Sequence, residues 1–283
     1  MIYTFYSFKG GVGRSMALAN VAELLYRIGL KVLIIDFDLE APGLEDYFDT
    51  EKSALALSEM RDRRGLIDML ISYKKVCSLK KNVLFDRVDT TDDFGHILEN
   101  PIKVFCCPIY SENDKNGGLS IIHAGKRSKR HISQYAKKIE TFDWEDFYVN
   151  WEGEKFFNWF RVEINKIADV VLIDSRTGIS EMGGVCTHHL ADAVVMFVAT
   201  NNQNLNGCRL IASSLANPDL IEKGRGGRSL HILPVPSRVE DSEADSLDRF
   251  ANAFKSKLGP FIPKNILSKE KTFSALRIPY VPY

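Results

Sequence analysis

The segment Lys9-Gly-Gly-Val-Gly-Arg-Ser15 constrains this chain more than any other. It follows an apolar, β-prone run from Ile2 to Phe8 and opens a pattern that puts Leu18, Val21, Ala22, Leu25 and Ile28 on one helical face. A strand, a glycine loop and a helix in that order predict a phosphate-binding turn. Three glycines let backbone N–H groups close around an anion, and the helix N-terminus adds its partial positive charge. Ser15 supplies the hydroxyl expected on a Mg²⁺ ion. The residues predicted to touch nucleotide phosphates are Lys9, Gly10, Gly11, Val12, Gly13, Arg14, Ser15 and Met16.

The rest of the chain alternates strand and helix patterns. Gly29 suits a helix C-cap, and Lys31–Asp36 reads as a buried parallel strand that ends in the acidic loop Asp36-Phe-Asp-Leu-Glu-Ala-Pro-Gly43. Further strands are predicted at Leu119–His123, Asp169–Asp174, Ala193–Val198, Leu230–Val235 and Leu276–Val281, with helices around Leu205–Ile211 and Ser242–Leu258. This alternation predicts an α/β fold, a doubly wound and mostly parallel sheet flanked by helices. The stretch from about 51 to 118 is the least regular, with a helical pattern at Leu66, Ile67, Met69 and Leu70 and polar runs at Asp89–Asp93 and Ser111–Gly118. It reads as an insertion over one face of a single domain spanning 1–283. Aromatic residues crowd residues 135–159, a density that fits a packed core better than base stacking.

Composition narrows the class. Lys+Arg and Asp+Glu both number 37, so no global field draws the protein to nucleic acid or anionic membrane. Five cysteines without CxxC spacing fit a reduced chain. Cys186, His188 and His189 lack zinc-ligand spacing and read as helix wall. The start at Met1 shows no leader pattern and no run has transmembrane length, so a cytoplasmic protein without a membrane span is expected.

Three acidic or glycine-rich ends of buried strands converge: Lys9–Ser15, Asp36/Asp38 and Asp174. With these residues the chain resembles the MinD/ParA class of deviant Walker A P-loop ATPases, over residues 1–40 and from about 119 onward. The resemblance implies ATP and Mg²⁺ as cofactors and a homodimer that closes around two nucleotides. It implies that Lys9 reaches the partner's phosphates, that Ser15 holds Mg²⁺ with Asp36 and Asp174 behind it, and that Asp38 positions the attacking water. The chain is also similar to a bacterial subgroup carrying KGGVGRS, DxDxEAPG and DSRTG, here Asp174-Ser-Arg-Thr-Gly178. Such NTPases accompany signalling or effector modules in conflict systems, which implies a protein partner or fused effector and a defence role.

Departures from the class sharpen the expectations. Arg14 stands where the class has a second lysine; its charge predicts phosphate binding, while its planar fork puts fast hydrolysis in question. Arg176 either approaches the γ-phosphate or bonds Glu181 or a loop carbonyl. The class reads adenine with an Asn after the strand that ends at Val235; here Pro236-Ser237-Arg238 follows, so Ser237 or Arg238, with backbone near Pro279, is expected at the base. Gly125-Lys-Arg-Ser-Lys-Arg-His131 is either a DNA-binding patch or a solvated helix start, and Gly224–Arg228 reads as a flexible turn. Tyr280 and Tyr283 read as strand residues rather than kinase-type tyrosines. In the class, helices follow the last strand, and these are expected to be absent here. Three functions stand: a slow ATPase switch, a nucleotide-sensing dimerisation module with little hydrolysis, and a DNA-partition ATPase.

Overall fold

The computed structural model describes residues 1–48, 55–81, 102–111, 115–178, 181–240, 244–263 and 272–281. The Asp89–Asp93 run, Ser242 and Tyr283 lie outside the described residues. Among those described, strands form at Ile2–Ser7 (β1), Lys31–Asp36 (β2), Cys107–Tyr110 (β3), Gly118–Ile122 (β4), Val170–Asp174 (β5), Ala193–Ala199 (β6) and His231–Ser237 (β7). They make one sheet in the order β3-β4-β2-β5-β1-β6-β7. The β1–β6, β6–β7 and β2–β4 pairs are parallel, and β3–β4 is antiparallel. The mostly parallel, helix-flanked sheet predicted from the strand–helix alternation is the one observed.

The helices are α1 (Arg14–Arg27), α2 (Leu57–Asp62), α3 (Leu66–Lys81), α4 (Ile132–Thr141), α5 (Trp144–Asn150), α6 (Gly153–Ile167), α7 (Glu181–Gly184), α8 (Asn202–Leu215), α9 (Pro218–Arg225), α10 (Ala244–Leu258) and α11 (Thr272–Leu276). A π-helical turn, Val185–Leu190, continues α7. Two sequence expectations are corrected. Leu276–Val281 is not a strand: α11 ends at Leu276, and only a single bridge joins Val239 to Pro279. Pro279 has no N–H to give; on either side of it Ile278 N donates to Pro236 O and Tyr280 N to Val239 O. Ile28 is not on the buried face of α1; it lies beyond the helix end and is 67% exposed.

By contact, the chain divides into two compact units. The first comprises Met1 and Ala19–Ile173. Its core is aromatic: Tyr73 packs on Phe156 at 4.8 Å between ring centroids, and Phe147, Phe157 and Phe160 complete a fully buried group. Gly29, at φ 101°, ends α1 as expected, and a side chain there would collide with Lys115 O at 2.7 Å.

Within the basic cluster 125–131 Arg127 is turned inward, while Lys129 and Arg130 are exposed. Arg127 is buried and ion-paired with Glu45, which is buried too and also accepts from Arg61 at 2.9 Å. Lys126, Arg130 and His131 face Asp62. A buried carboxylate needs a counter-charge, and that need draws Arg127 off the surface.

The second unit comprises Ile2–Leu18 and Asp174–Tyr283. Met196, Leu205, Ile232, Phe250, Phe254 and Leu258 are among its core residues. The Gly224–Arg228 segment is a cap, not a flexible turn. Arg225, 3% exposed, gives its guanidinium to the carbonyl oxygens of His188, Ala191, Ser229 and Arg228, satisfying the end of the π turn.

Candidate functional site

The loop between β1 and α1 has the backbone that its glycines were expected to allow. Gly11 and Gly13 take φ of 73° and 81°, the left-handed region open to glycine. Gly10, Gly11 and Gly13 are exposed, while Val12 is buried at 4% and pins the loop to the core. The Gly13 carbonyl accepts from Ala17 N at 3.0 Å and starts α1. Ser15 is half-buried on the first turn, and Met16 is 39% exposed. Exposed glycine backbone at a helix start can surround a phosphate, which is what this loop can do chemically.

Lys9 is exposed, and its Nζ donates to Gln203 Oε1 on α8 at 2.6 Å. Phe8, just before it, lies against Gly207 of the same helix. Arg14 points the other way. It is 6% exposed, with Nε 2.5 Å from Asp174 Oδ1 and Nη1 3.5 Å from Ser7 Oγ.

The segment after Asp174 is laced to β1. Ser175 N donates to Phe5 O, Gly178 N to Ser7 O, and Tyr6 Oη to Gly178 O, each at 3.1 Å. Burial pushes the Tyr6 phenol above its usual range, so it stays a donor. Arg176 is half-buried. The Glu181 side chain lies outside the described residues.

At the end of β7, Ser237 is 1% exposed and its Oγ makes no hydrogen bond among the described residues. Arg238 has φ 52°, places Nη1 2.8 Å from Gly11 O, and lays its guanidinium 4.5 Å from the centre of the Tyr280 ring. Thus Gly11 and Arg238, with Val239 bridged to Pro279, are brought together. Gln203 and Tyr280 were missed as neighbours of the loop. The polar run Asn201-Asn-Gln-Asn204 at a helix start was the available signal for Gln203.

In the first unit, Asp36 is 1% exposed and accepts from the backbone N–H of Asp38, Gly43 and Leu44 at 3.1–3.3 Å. These bonds shape the loop that carries half-buried Asp38. Ser15 and Asp174 in the second unit, like Asp36 in the first, carry hydroxyl or carboxylate oxygens, the kind of hard donor that Mg²⁺ takes. Burial lifts the Cys106 and Cys208 thiols to about 12, so neither is a ready nucleophile. Among the described residues no helix is long and apolar enough to cross a membrane.

Residues 3–249 match the CobQ/CobB/MinD/ParA nucleotide binding domain family. An uncharacterized ATP-binding protein of Methanocaldococcus jannaschii is 42% identical over 75 residues, which is 26% of this chain and 28% of that protein. The chain therefore spans under a third of that relative. Among solved structures, a ParA family ATPase from Chlorobium tepidum TLS superposes with TM-score 0.54 at 17% identity, covering 99% of this chain and 85% of that one. The pNOB8 ParA bound to nonspecific DNA gives 0.50 at 14% identity, over 99% and 84%. These likenesses show the fold.

Proposed function

Because the chain belongs to the CobQ/CobB/MinD/ParA family of nucleotide-binding domains, we propose that it is a slow, Mg²⁺-dependent ATPase that closes as a homodimer around two nucleotides and works as a molecular switch. The observation that carries this reading is the β1–α1 loop, with its exposed glycine backbone at the start of a helix. In this reading the N–H groups of Gly10 to Ser15 bind the phosphates. Lys9, on a long stem and bonded at the surface to Gln203, swings to phosphates in the partner subunit. Ser15 would hold Mg²⁺, with Asp36 and Asp174 behind it, and the ion would supply positive charge against the phosphates. Asp38 positions the attacking water, and Arg176 approaches the γ-phosphate.

The base is read at the end of β7. Ser237 offers a buried hydroxyl with an open hydrogen-bonding position, and Arg238 and Tyr280 form a stacked platform beside it. ATP is preferred to GTP in this reading. A partner protein or fused effector senses the dimer. A DNA-partition role is the second reading, favoured by the likeness to a ParA bound to nonspecific DNA.

Calorimetric titration with ATP and GTP in Mg²⁺, beside single-turnover phosphate release, tests the proposal. The expected result is ATP binding with slow release and weaker GTP binding. No nucleotide binding would overturn it. ATP-dependent, salt-sensitive binding to random duplex DNA would move it to the partition reading.

A further inference from the structure

The arginine that replaces a lysine in the loop has a partner on the far side of the fold's sequence. Arg14 and Asp174 are 160 residues apart, yet their side chains are 7% and 3% exposed and meet at 2.5 Å. The guanidinium edge at Nε serves Asp174, and Nη1 turns toward Ser7 on β1. A lysine ammonium is a single point of charge; the arginine fork can engage a carboxylate and a second acceptor at once. Asp174 opens the segment that runs to Gly178, which is itself bonded to β1 by Ser175 N, Gly178 N and Tyr6 Oη. The pair therefore ties the first residue of α1 to the start of that segment.

We propose that the Arg14–Asp174 ion pair is a latch that competes with nucleotide phosphate. Phosphate entering the loop is a second anion seeking Arg14, and Asp174 already holds it in a buried site where separating the pair is costly. Occupancy of the loop is thereby coupled to the position of the Asp174–Gly178 segment, and Arg14 is a positioning residue for Asp174 before it is a phosphate ligand. This inference rests on the nucleotide-binding reading above and specifies how that site is regulated.

The test measures AMPPNP affinity in EDTA for the wild type, Asp174→Asn, Arg14→Gln and the double variant Arg14→Gln/Asp174→Asn. Asparagine keeps an oxygen for Arg14 Nε but removes the charge, and Asp174→Ser serves the same comparison if the asparagine variant folds poorly. The expected result is that Asp174→Asn binds about tenfold more tightly than wild type, a coupling of ordinary size for linked sites. The double variant should bind no more tightly than Arg14→Gln, because neither has an arginine to release. A gain retained in the double variant would show simple removal of negative charge and overturn the latch. No gain in Asp174→Asn would overturn it as well. Wild-type binding in Mg²⁺ separates the two levels: if it is absent, the nucleotide-binding reading itself fails.

Discussion

Gly207 on α8 sits where a side chain would strike the residue that leads into the loop. A Cβ built there lies 2.3, 2.4 and 2.5 Å from Cδ1, Cγ and Cε1 of the Phe8 ring. Ordinary contact begins at 3.4 Å, so Gly207→Ala must push ring and helix apart by about 1 Å, an overpacking that costs about 1–3 kcal/mol. Alanine returns about 1 kcal/mol of helix propensity over glycine. The two terms leave a net loss of about 0–2 kcal/mol, so the variant should fold. The larger effect falls on function, because Phe8 carries Lys9 and the start of the loop with it. We expect AMPPNP affinity to fall about tenfold, or about 1.4 kcal/mol, while the urea midpoint moves little. Phe8→Ala in the Gly207→Ala background removes the Cγ, Cδ1 and Cε1 atoms that the new Cβ strikes and should recover the affinity. Wild-type affinity in Gly207→Ala would refute the idea that this contact sets the loop.

Three further outcomes follow from buried charge. Arg225→Ala leaves four carbonyl oxygens without their donor and should cost about 3 kcal/mol or more in urea unfolding. Burial, reinforced by the charge of Arg127, lowers the His123 pKa from 6.5 to about 4. The unfolded chain therefore binds the extra proton first, so this residue's contribution is full above about pH 6.5 and is lost as pH falls toward 4. His123→Gln should flatten stability between pH 6.5 and 5, as read from urea midpoints. Burial raises the Glu45 pKa, but the charge and hydrogen bond of Arg127, with the bond from Arg61, outweigh it and hold the group below 4.5. Its contribution is full above that value and is lost as pH falls through the lowered pKa. Glu45→Gln leaves Arg127 buried without its counter-ion and should cost about 3 kcal/mol, much of it regained in Glu45→Gln/Arg127→Met.

What the sequence made legible divides along physical lines. β2, β5 and β6 are buried strands of a parallel sheet, and continuous apolar runs mark such strands directly. The aromatic density of α5 and α6 likewise announced a core. β3 escaped because it is four residues long, contains Pro108 and pairs through an irregular register. At Leu276–Val281 the apolar pattern was misleading, since Pro279 cannot extend a ladder. Arg127 and Arg225 looked like surface charge and a flexible turn because their partners lie 82 and up to 37 residues away. The same holds for the candidate site. The glycines of the loop declared themselves locally, whereas the turn of Arg14 toward Asp174 needed the fold.

The central claim is a dimer operated by nucleotide through Lys9, and solution mass measures it most directly. Light scattering on the wild type and Lys9→Ala, each with AMPPNP–Mg²⁺ and with ADP–Mg²⁺, is the experiment. The wild type should be a dimer with AMPPNP only, and the Lys9→Ala variant should bind AMPPNP yet stay monomeric. A wild type that is monomeric with AMPPNP, or a Lys9→Ala variant that dimerises as well as wild type, would contradict it.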